Sequence, residues 1–235
     1  MLTTIDLHTD FLKGAVLLID KEVDWSSFDV VKKIRNLIRN KLQVKKIKVG
    51  HAGTLDPLAT GLMIICTGKF TREIESFQNL PKEYEATFRI GQTTPSFDLE
   101  TSIDHEYPTE HITTELIQET ANQFIGESEQ VPPLFSAKKI DGKRAYEFAR
   151  KGEVRELSPA LITIHKMEIL DFRGNELKLR ILCSKGTYIR SLARDMGKAL
   201  GSGAYMAQLR RTAIGDFSVD KAMVLKIFEE KLNNM

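Results

Sequence analysis

The chain has 235 residues, 42% hydrophobic and 28% charged, with a net charge of +2. Folding at this length buries roughly 70–75% of the unfolded surface, and the composition is that of an ordinary globular protein. No apolar run approaches the ~20 residues that span a bilayer, and the N-terminus has no basic and apolar regions of a secretory signal, so a cytoplasmic protein without membrane contact is expected.

Residues 15–20 are an apolar run of strand length. Ser26 or Ser27 then caps a helix with Asp29 in its first turn. Val30, Val31, Ile34, Leu37 and Ile38 repeat at helical spacing, and this helix is expected to end near Asn40. Residues 44–49 read as a strand, 50–61 as a loop, 62–67 as a second short apolar run and 69–78 as a helix. Tyr84, Ala86, Phe88 and Ile90 alternate with Glu85, Thr87 and Arg89, the pattern of a half-buried strand, and Gly91 ends it.

A helix over 114–125 stops at Gly126, and Val131 is extended because it precedes Pro132. Residues 144–151 read as a short helix, and 161–170 with 176–183 as a strand pair turning at Arg173-Gly174-Asn175. Ile189, Leu192, Ala193, Met196 and Leu200 mark a helix closed by Gly201, and 220–232 is a final amphipathic helix. Interspersed strands and helices with hairpin-like neighbours predict an α+β fold with a mixed, mostly antiparallel central sheet flanked by helices. One domain over 1–235 is expected, with residues 96–130 as an acidic insertion or subdomain and 220–232 as a short C-terminal helical tail. Cys66 and Cys183 sit in apolar stretches outside any Cys-x-x-Cys pair and read as buried, reduced thiols.

The small net charge hides a strong asymmetry. Lys32, Lys33, Arg35, Arg39, Lys41, Lys45, Lys46 and Lys48 fall between Val30 and Leu55 with no acid among them. Residues 96–130 are acidic without Lys or Arg, and 178–211 are basic with Asp195 as the one acid. A single basic block reads as a solvated face. Two such blocks beside the motifs below read as the cationic footprint of a nucleic-acid binder.

The phosphate loop, the dinucleotide fingerprint, the zinc-protease His pair and the hydrolase nucleophile elbow are all missing, and the five histidines lack metal-ligand spacing. Kinase, Rossmann, zinc-hydrolase and serine-hydrolase classes therefore lose ground. The informative segment is Gly50-His51-Ala52-Gly53-Thr54-Leu55-Asp56-Pro57-Leu58-Ala59-Thr60-Gly61. Its glycines and proline make a loop able to present one carboxylate in a set direction. Taken alone, Asp56 reads as a turn aspartate, His51 as a structural or surface histidine, Tyr84 as core packing and Arg190 as a surface cation on a helix.

The segment Gly-Thr-Leu-Asp-Pro-Leu-Ala-Thr-Gly resembles the catalytic loop of the TruB family of tRNA pseudouridine synthases. Leu18-Ile19-Asp20-Lys21 with Trp25-Ser26-Ser27, Lys82-Glu83-Tyr84-Glu85-Ala86, and Gln130-Val-Pro-Pro-Leu-Phe-Ser-Ala-Lys-Lys running into Gly142 and Tyr146 resemble further family motifs. So do Gly186-Thr187-Tyr188-Ile189-Arg190-Ser191-Leu192 and Leu209-Arg210-Arg211-Thr212, and the set spans residues 14–219 in family order.

The resemblance implies the pseudouridine synthase catalytic fold and an isomerase acting on the tRNA T-arm at uridine 55. It implies Asp56 as the essential aspartate acting at the sugar, Tyr84 against the target base and Arg190 paired with the catalytic carboxylate. It also implies Tyr188 and Leu209 at the uracil pocket, His51 holding the flipped-out RNA loop, and Lys21 and Lys69 as phosphate or positioning cations. No metal or small-molecule cofactor is implied, and a monomer is expected. The chemistry agrees: the base leaves its stack at a cost of a few kcal/mol, and stacking on an aromatic ring offsets roughly 1–3 kcal/mol of it.

Lys138, Lys139, Lys143 and Arg144 form a third basic cluster, in a loop expected to close over an RNA hairpin. Many bacterial members of the family carry a further RNA-binding domain after the Leu-Arg-Arg motif. With 23 residues after Thr212, this chain is expected to be a short form without it. Three other readings remain open at this point: a tRNA-folding chaperone using the same basic face, a guide-dependent synthase subunit, and, more distantly, a nucleoside hydrolase.

Overall fold

The computed structural model describes residues 9–136, 138–140, 142–149, 153 and 157–235. The N-terminal octapeptide with His8, and residues 150 and 151 of the expected short helix, lie outside the described residues. The chain divides into two compact units, Met1–Tyr84 with Arg210–Met235 and Glu85–Leu209.

The chain opens with β1 (Val16–Lys21), α1 (Ser27–Leu42), β2 (Val49–His51) and β3 (Thr60–Thr67). A 3-10 segment (Gly68–Glu73) and α2 (Ile74–Asn79) lead into β4 (Lys82–Ile90). Then follow β5 (Gln92–Thr93), β6 (His105–Glu106), α3 (Thr114–Gln123), β7 (Gly126–Gln130), β8 (Lys139–Ile140), β9 (Lys143–Arg144) and α4 (Ala145–Ala149). The chain continues with β10 (Ala160–Arg173), β11 (Glu176–Cys183), α5 (Ile189–Ala199), β12 (Ala204–Ile214), β13 (Phe217–Ser218), a 3-10 turn (Val219–Lys221) and α6 (Leu225–Asn233).

In the first unit β3 is the organising strand. β1 runs antiparallel along one of its edges, from Val16 opposite Cys66 to Lys21 opposite Gly61. The other edge is shared. β2 pairs with its far end, Val49 to Thr67 through His51 to Ile65, and the end of β12 pairs in parallel with its near end, Arg210 to Thr60 and Arg211 to Gly61. Both faces of β1 and β3 are covered, so Val16–Ile19 and Leu62–Cys66 are buried without alternation. One face packs Val16, Leu18, Leu62, Ile64 and Cys66 against Phe77, Leu80 and Phe217.

Ser26, not Ser27, caps α1, in a capping box with Asp29. The helix closes two residues later than expected, at Leu42, because Gln43 takes a left-handed conformation and donates its N–H to Arg39 O. Lys33 bridges to Glu229 at 2.9 Å and ties α1 to α6. Residues 44–48 were expected in a strand but stay outside one; ladder pairing begins at Val49. The C-terminal helix likewise starts at Leu225 rather than 220, because a β-bridge between Ile19 and Met223 draws the preceding chain out along β1.

In the second unit β10 forms a long antiparallel hairpin with β11, turned at Gly174-Asn175 and interrupted by bulges near Lys166 and Asp171. β7 pairs antiparallel with the start of β10, so the end of the acidic stretch is laddered into this sheet. α3 packs against β10 and α5, and α5 lies close enough to β12 that a Cβ on Gly197 would meet Ala204 N at 2.3 Å. The alternation of Tyr84, Ala86, Phe88 and Ile90 holds along β4. β12 went unread in the sequence because Gln208, Arg210, Arg211 and Thr212 break any apolar alternation; with β12 included, the sheet is mixed and mostly antiparallel, as expected.

Candidate active site

The Asp56 loop leaves β2 at His51 and re-enters the sheet at Thr60. Its backbone is held piece by piece. Ser27 Oγ accepts from Leu55 N at 2.8 Å and donates to Leu55 O at 2.9 Å. Asp24 N donates to Pro57 O at 3.0 Å, and Ala59 N closes a turn on Asp56 O at 3.1 Å. Asp56 therefore does begin a turn, through its backbone carbonyl.

Two buried cations complete the hold. Lys21, 1% exposed, donates through Nζ to Glu22 O, Trp25 O and Pro57 O at 2.9, 2.7 and 3.2 Å. Arg211, also 1% exposed, donates Nε to Leu62 O at 2.7 Å and its two terminal nitrogens to Gly53 O and Thr54 O at 3.1 and 3.4 Å. Burying a guanidinium costs several kcal/mol. Hydrogen bonds from a charged donor, at roughly 1.5–3 kcal/mol each, offset that cost.

Burial pushes the Lys21 ammonium down to about 8, with the Arg211 charge acting in the same direction and the Asp56 and Asp24 carboxylates opposing it. The unfolded lysine titrates at its ordinary value of 10.5. Between those two pH values the unfolded chain holds the extra proton, so folding gains stability as pH rises through the window and gains nothing from this group below it. The stability of the protein measured against Lys21→Met by urea unfolding is expected to climb from about pH 8 to about pH 10. A flat difference across that range would contradict the buried, charged lysine.

The other expected site residues are placed as follows. His51 ends β2; burial, opposed by a hydrogen bond with the Gly53 backbone and helped by the Arg211 charge, lowers its pKa, and its buried Nδ1 has no hydrogen-bond partner among the described residues. Tyr84 is 8% exposed in β4. Lys69 is exposed at the 3-10 segment, where its backbone N–H bonds Lys13 O. The structure thus brings Lys21 and Asp56 together, while Lys69 lies beside Lys13.

In the second unit Tyr188 is half-buried at the start of α5, its backbone clasped at both polar groups by the Gln130 amide at 2.8 and 3.2 Å. Arg190 is buried rather than a surface cation. It lies 3.4 Å from Asp98 with both side chains 4% exposed, and it donates to Phe135 O at 2.9 Å. Leu209 is half-buried on β12. Asp98 and Gln130 are supporting residues that sequence reading did not single out. Burial pushes the Cys66 thiol up to about 11, in keeping with an inert, reduced cysteine. Among the described residues no group of His, Cys, Asp and Glu side chains is arranged to hold a metal ion, and no helix is long and apolar enough to cross a membrane.

The closing Leu-Arg-Arg-Thr motif joins the others within the first unit. Arg210 forms a bidentate pair with Asp20 at 3.0 and 2.7 Å, Arg211 reaches the Asp56 loop, and Thr212 Oγ1 donates to Glu83 Oε1 at 2.7 Å. Arg210, Arg211 and Thr212 thus tie together Asp20, the Asp56 loop and Glu83 within the first unit. The family model for the TruB family pseudouridylate synthase N-terminal domain matches residues 39–189. The chain belongs to the TruB family. A second model, the tRNA pseudouridylate synthase B C-terminal domain, matches residues 190–234.

TruB-family relatives match along nearly their whole length. A Phocaeicola vulgatus protein named tRNA pseudouridine synthase B is 58% identical over 95% of this chain and 95% of its own. A Parabacteroides distasonis protein of the same name is 54% identical over 94% of this chain and all of its own. Among solved structures, a chain of a Cbf5-Nop10-Gar1 complex matches with a TM-score of 0.71 and 28% identity, over 97% of this chain. The chain spans only 56% of that protein's length. A structure of an H/ACA RNP bound to a substrate RNA containing 2′-deoxyuridine matches with a TM-score of 0.66 and 26% identity, over 94% of this chain and 53% of that one.

Proposed function

We propose that this protein converts uridine 55 in the T-arm of tRNA to pseudouridine, acting as a cytoplasmic monomer on tRNA alone, with Asp56 as the carboxylate that works at the target ribose. The observation that carries the reading is the Asp56 loop. A single carboxylate is presented on a backbone anchored by Ser27, Lys21 and Arg211, in a chain of the TruB family. The isomerisation breaks an N-glycosidic bond and rejoins the same base through carbon. It needs no redox equivalent, and a fixed anion beside a developing positive charge on the sugar serves it directly.

Tyr84 and Tyr188 supply aromatic faces for the unstacked base, Leu209 an apolar wall and Arg190 a buried cation. His51, with its uncommitted ring nitrogen, meets the RNA loop. Lys32, Arg39, Lys45, Lys46 and Lys48 are exposed in the first unit and offer phosphate contacts, as Lys69 does at its own position. The guide-dependent reading is weaker. Relatives at 54–58% identity and nearly equal length are named tRNA pseudouridine synthase B, whereas the Cbf5 match stands at 28% and covers 56% of that chain.

The test is to incubate the purified protein with an unmodified T-arm hairpin, add no guide RNA, and map pseudouridine along the product. One pseudouridine at position 55 is expected. Modification elsewhere, or only with an added guide, overturns the assignment. Hairpin binding should weaken linearly in log–log form with salt, with a slope of about −0.7 to −0.9 per phosphate contacted.

A further inference from the structure

The edge of β3 has a gap in it. β2 covers residues 65–67 of that edge and β12 covers residues 60 and 61, while the chain between β2 and β3 leaves the sheet as the Asp56 loop. Ala52 N closes on Ile64 O at 2.9 Å, which leaves Leu62 O without a strand to pair with. Arg211 Nε takes that carbonyl, and the same guanidinium reaches outward to Gly53 O and Thr54 O. A planar fork with donors on three nitrogens suits this geometry; a lysine ammonium has one donor atom in one place.

The approach is also built into the backbone. Gly61, at φ +106, is opposite Arg211, and a Cβ there would meet Arg211 O, N and C at 2.3, 2.6 and 2.9 Å. β12 can bring its arginine this close only against a glycine. Among the described residues the Arg211 side chain donates to these three carbonyls and pairs with no carboxylate. Its charge is directed at the β3 carbonyl and at the backbone immediately preceding Leu55 and Asp56.

We propose that Arg211 is the positioning residue for the Asp56 carboxylate: its guanidinium plugs the gap in the β3 edge and fixes the backbone at Gly53 and Thr54, and so the direction in which Asp56 projects. The inference rests on the reading of Asp56 as the catalytic carboxylate. Between that backbone and Asp56, Leu55 is held by Ser27, and beyond Asp56, Pro57 is held by Lys21 and Asp24 N. Loss of Arg211 therefore frees Gly53 and Thr54 and leaves Leu55 and Pro57 attached. A displacement of about 1 Å at a reacting group costs on the order of 100-fold in rate.

The experiment compares Arg211→Lys, Arg211→Met and Asp56→Asn with the unaltered full chain. Three quantities are read on each: the thermal melt, the Kd for a T-arm hairpin, and the single-turnover rate of pseudouridine formation at saturating enzyme. Arg211→Met removes the buried charge altogether and guards against misfolding of the lysine variant. The folded Arg211 variants are expected to bind the hairpin within about 3-fold of the unaltered protein and to react roughly 100-fold more slowly.

A folded variant that reacts within about 3-fold of the unaltered rate overturns the proposal. A parallel loss of rate and hairpin affinity, tracking the unfolded fraction, also overturns it and leaves Arg211 a scaffold residue. If Asp56→Asn reacts at the unaltered rate, the catalytic reading of Asp56 fails, which is a separate outcome from anything seen at Arg211.

Discussion

Asp56→Asn is expected to leave a folded protein that binds tRNA and does not turn it over. The amide matches the carboxylate in shape, and the turn from Ala59 N to Asp56 O is made by the backbone, so the loop survives the change. Ser27, Lys21 and Arg211 keep their bonds to Leu55, Pro57, Gly53 and Thr54. What disappears is the anion. If it is the group that meets the ribose, single-turnover rate falls by at least about 1,000-fold while Kd stays within a few-fold.

A second consequence follows from the neighbouring lysine. The Asp56 charge opposes the lowering of the Lys21 pKa by burial. Without it the Lys21 pKa falls further below about 8, and the variant is expected to be less stable than the parent near neutral pH. Wild-type-like turnover by Asp56→Asn in the hairpin assay would remove the central claim about function.

Gly61→Ala carries the largest expected effect on stability. The added methyl would lie 2.3–2.9 Å from backbone atoms of Arg211, which have no rotamer by which to retreat, at a φ of +106 that an alanine resists. The parallel pairing of β12 with β3 must open, and the arginine above the loop withdraws with it. A loss of more than about 3 kcal/mol is expected, of the size that marks a forced backbone rearrangement. Gly126 supplies the control: its φ of +111 is nearly the same, but a Cβ there would meet nothing within 4 Å. Gly126→Ala should cost only the conformational strain, about 1–2 kcal/mol. Urea midpoints of the two variants measure the difference, and equal losses would show that the close approach at Gly61 is unimportant.

Local patterns were legible wherever one short-range rule decided the outcome. The alternation along β4, the serine–aspartate start of α1 and the hairpin around Gly174 each depend on residues a few positions apart. Boundaries failed where a distant strand intervened. The bridge from Ile19 to Met223 delays α6, and residues 44–48 stay outside a strand until Val49 finds Thr67. β12 was illegible for a related reason. Arginines at two successive positions look solvent-bound in a sequence, and only the carbonyls of a distant loop and the Asp20 carboxylate explain why one of them is buried and the other paired.

Asp56 shows the same division. Its type, its flanking glycines and proline, and its place in an ordered series of motifs are properties of the chain read from end to end, and they were enough to identify the family. Its support is a property of the fold. Lys21 lies 35 positions before it and Arg211 155 positions after it, by subtraction of their numbers, and the β1–β3–β12 pairing delivers both to one loop. Burial then changes what each cation does. An exposed lysine or arginine would be a phosphate contact, whereas these two, taken out of water, must satisfy themselves on backbone carbonyls and so hold a loop in place. Residue order is enough to recognise the motifs. Which cation meets solvent and which meets the backbone depends on strand pairing between distant segments, and was decided only by the folded chain.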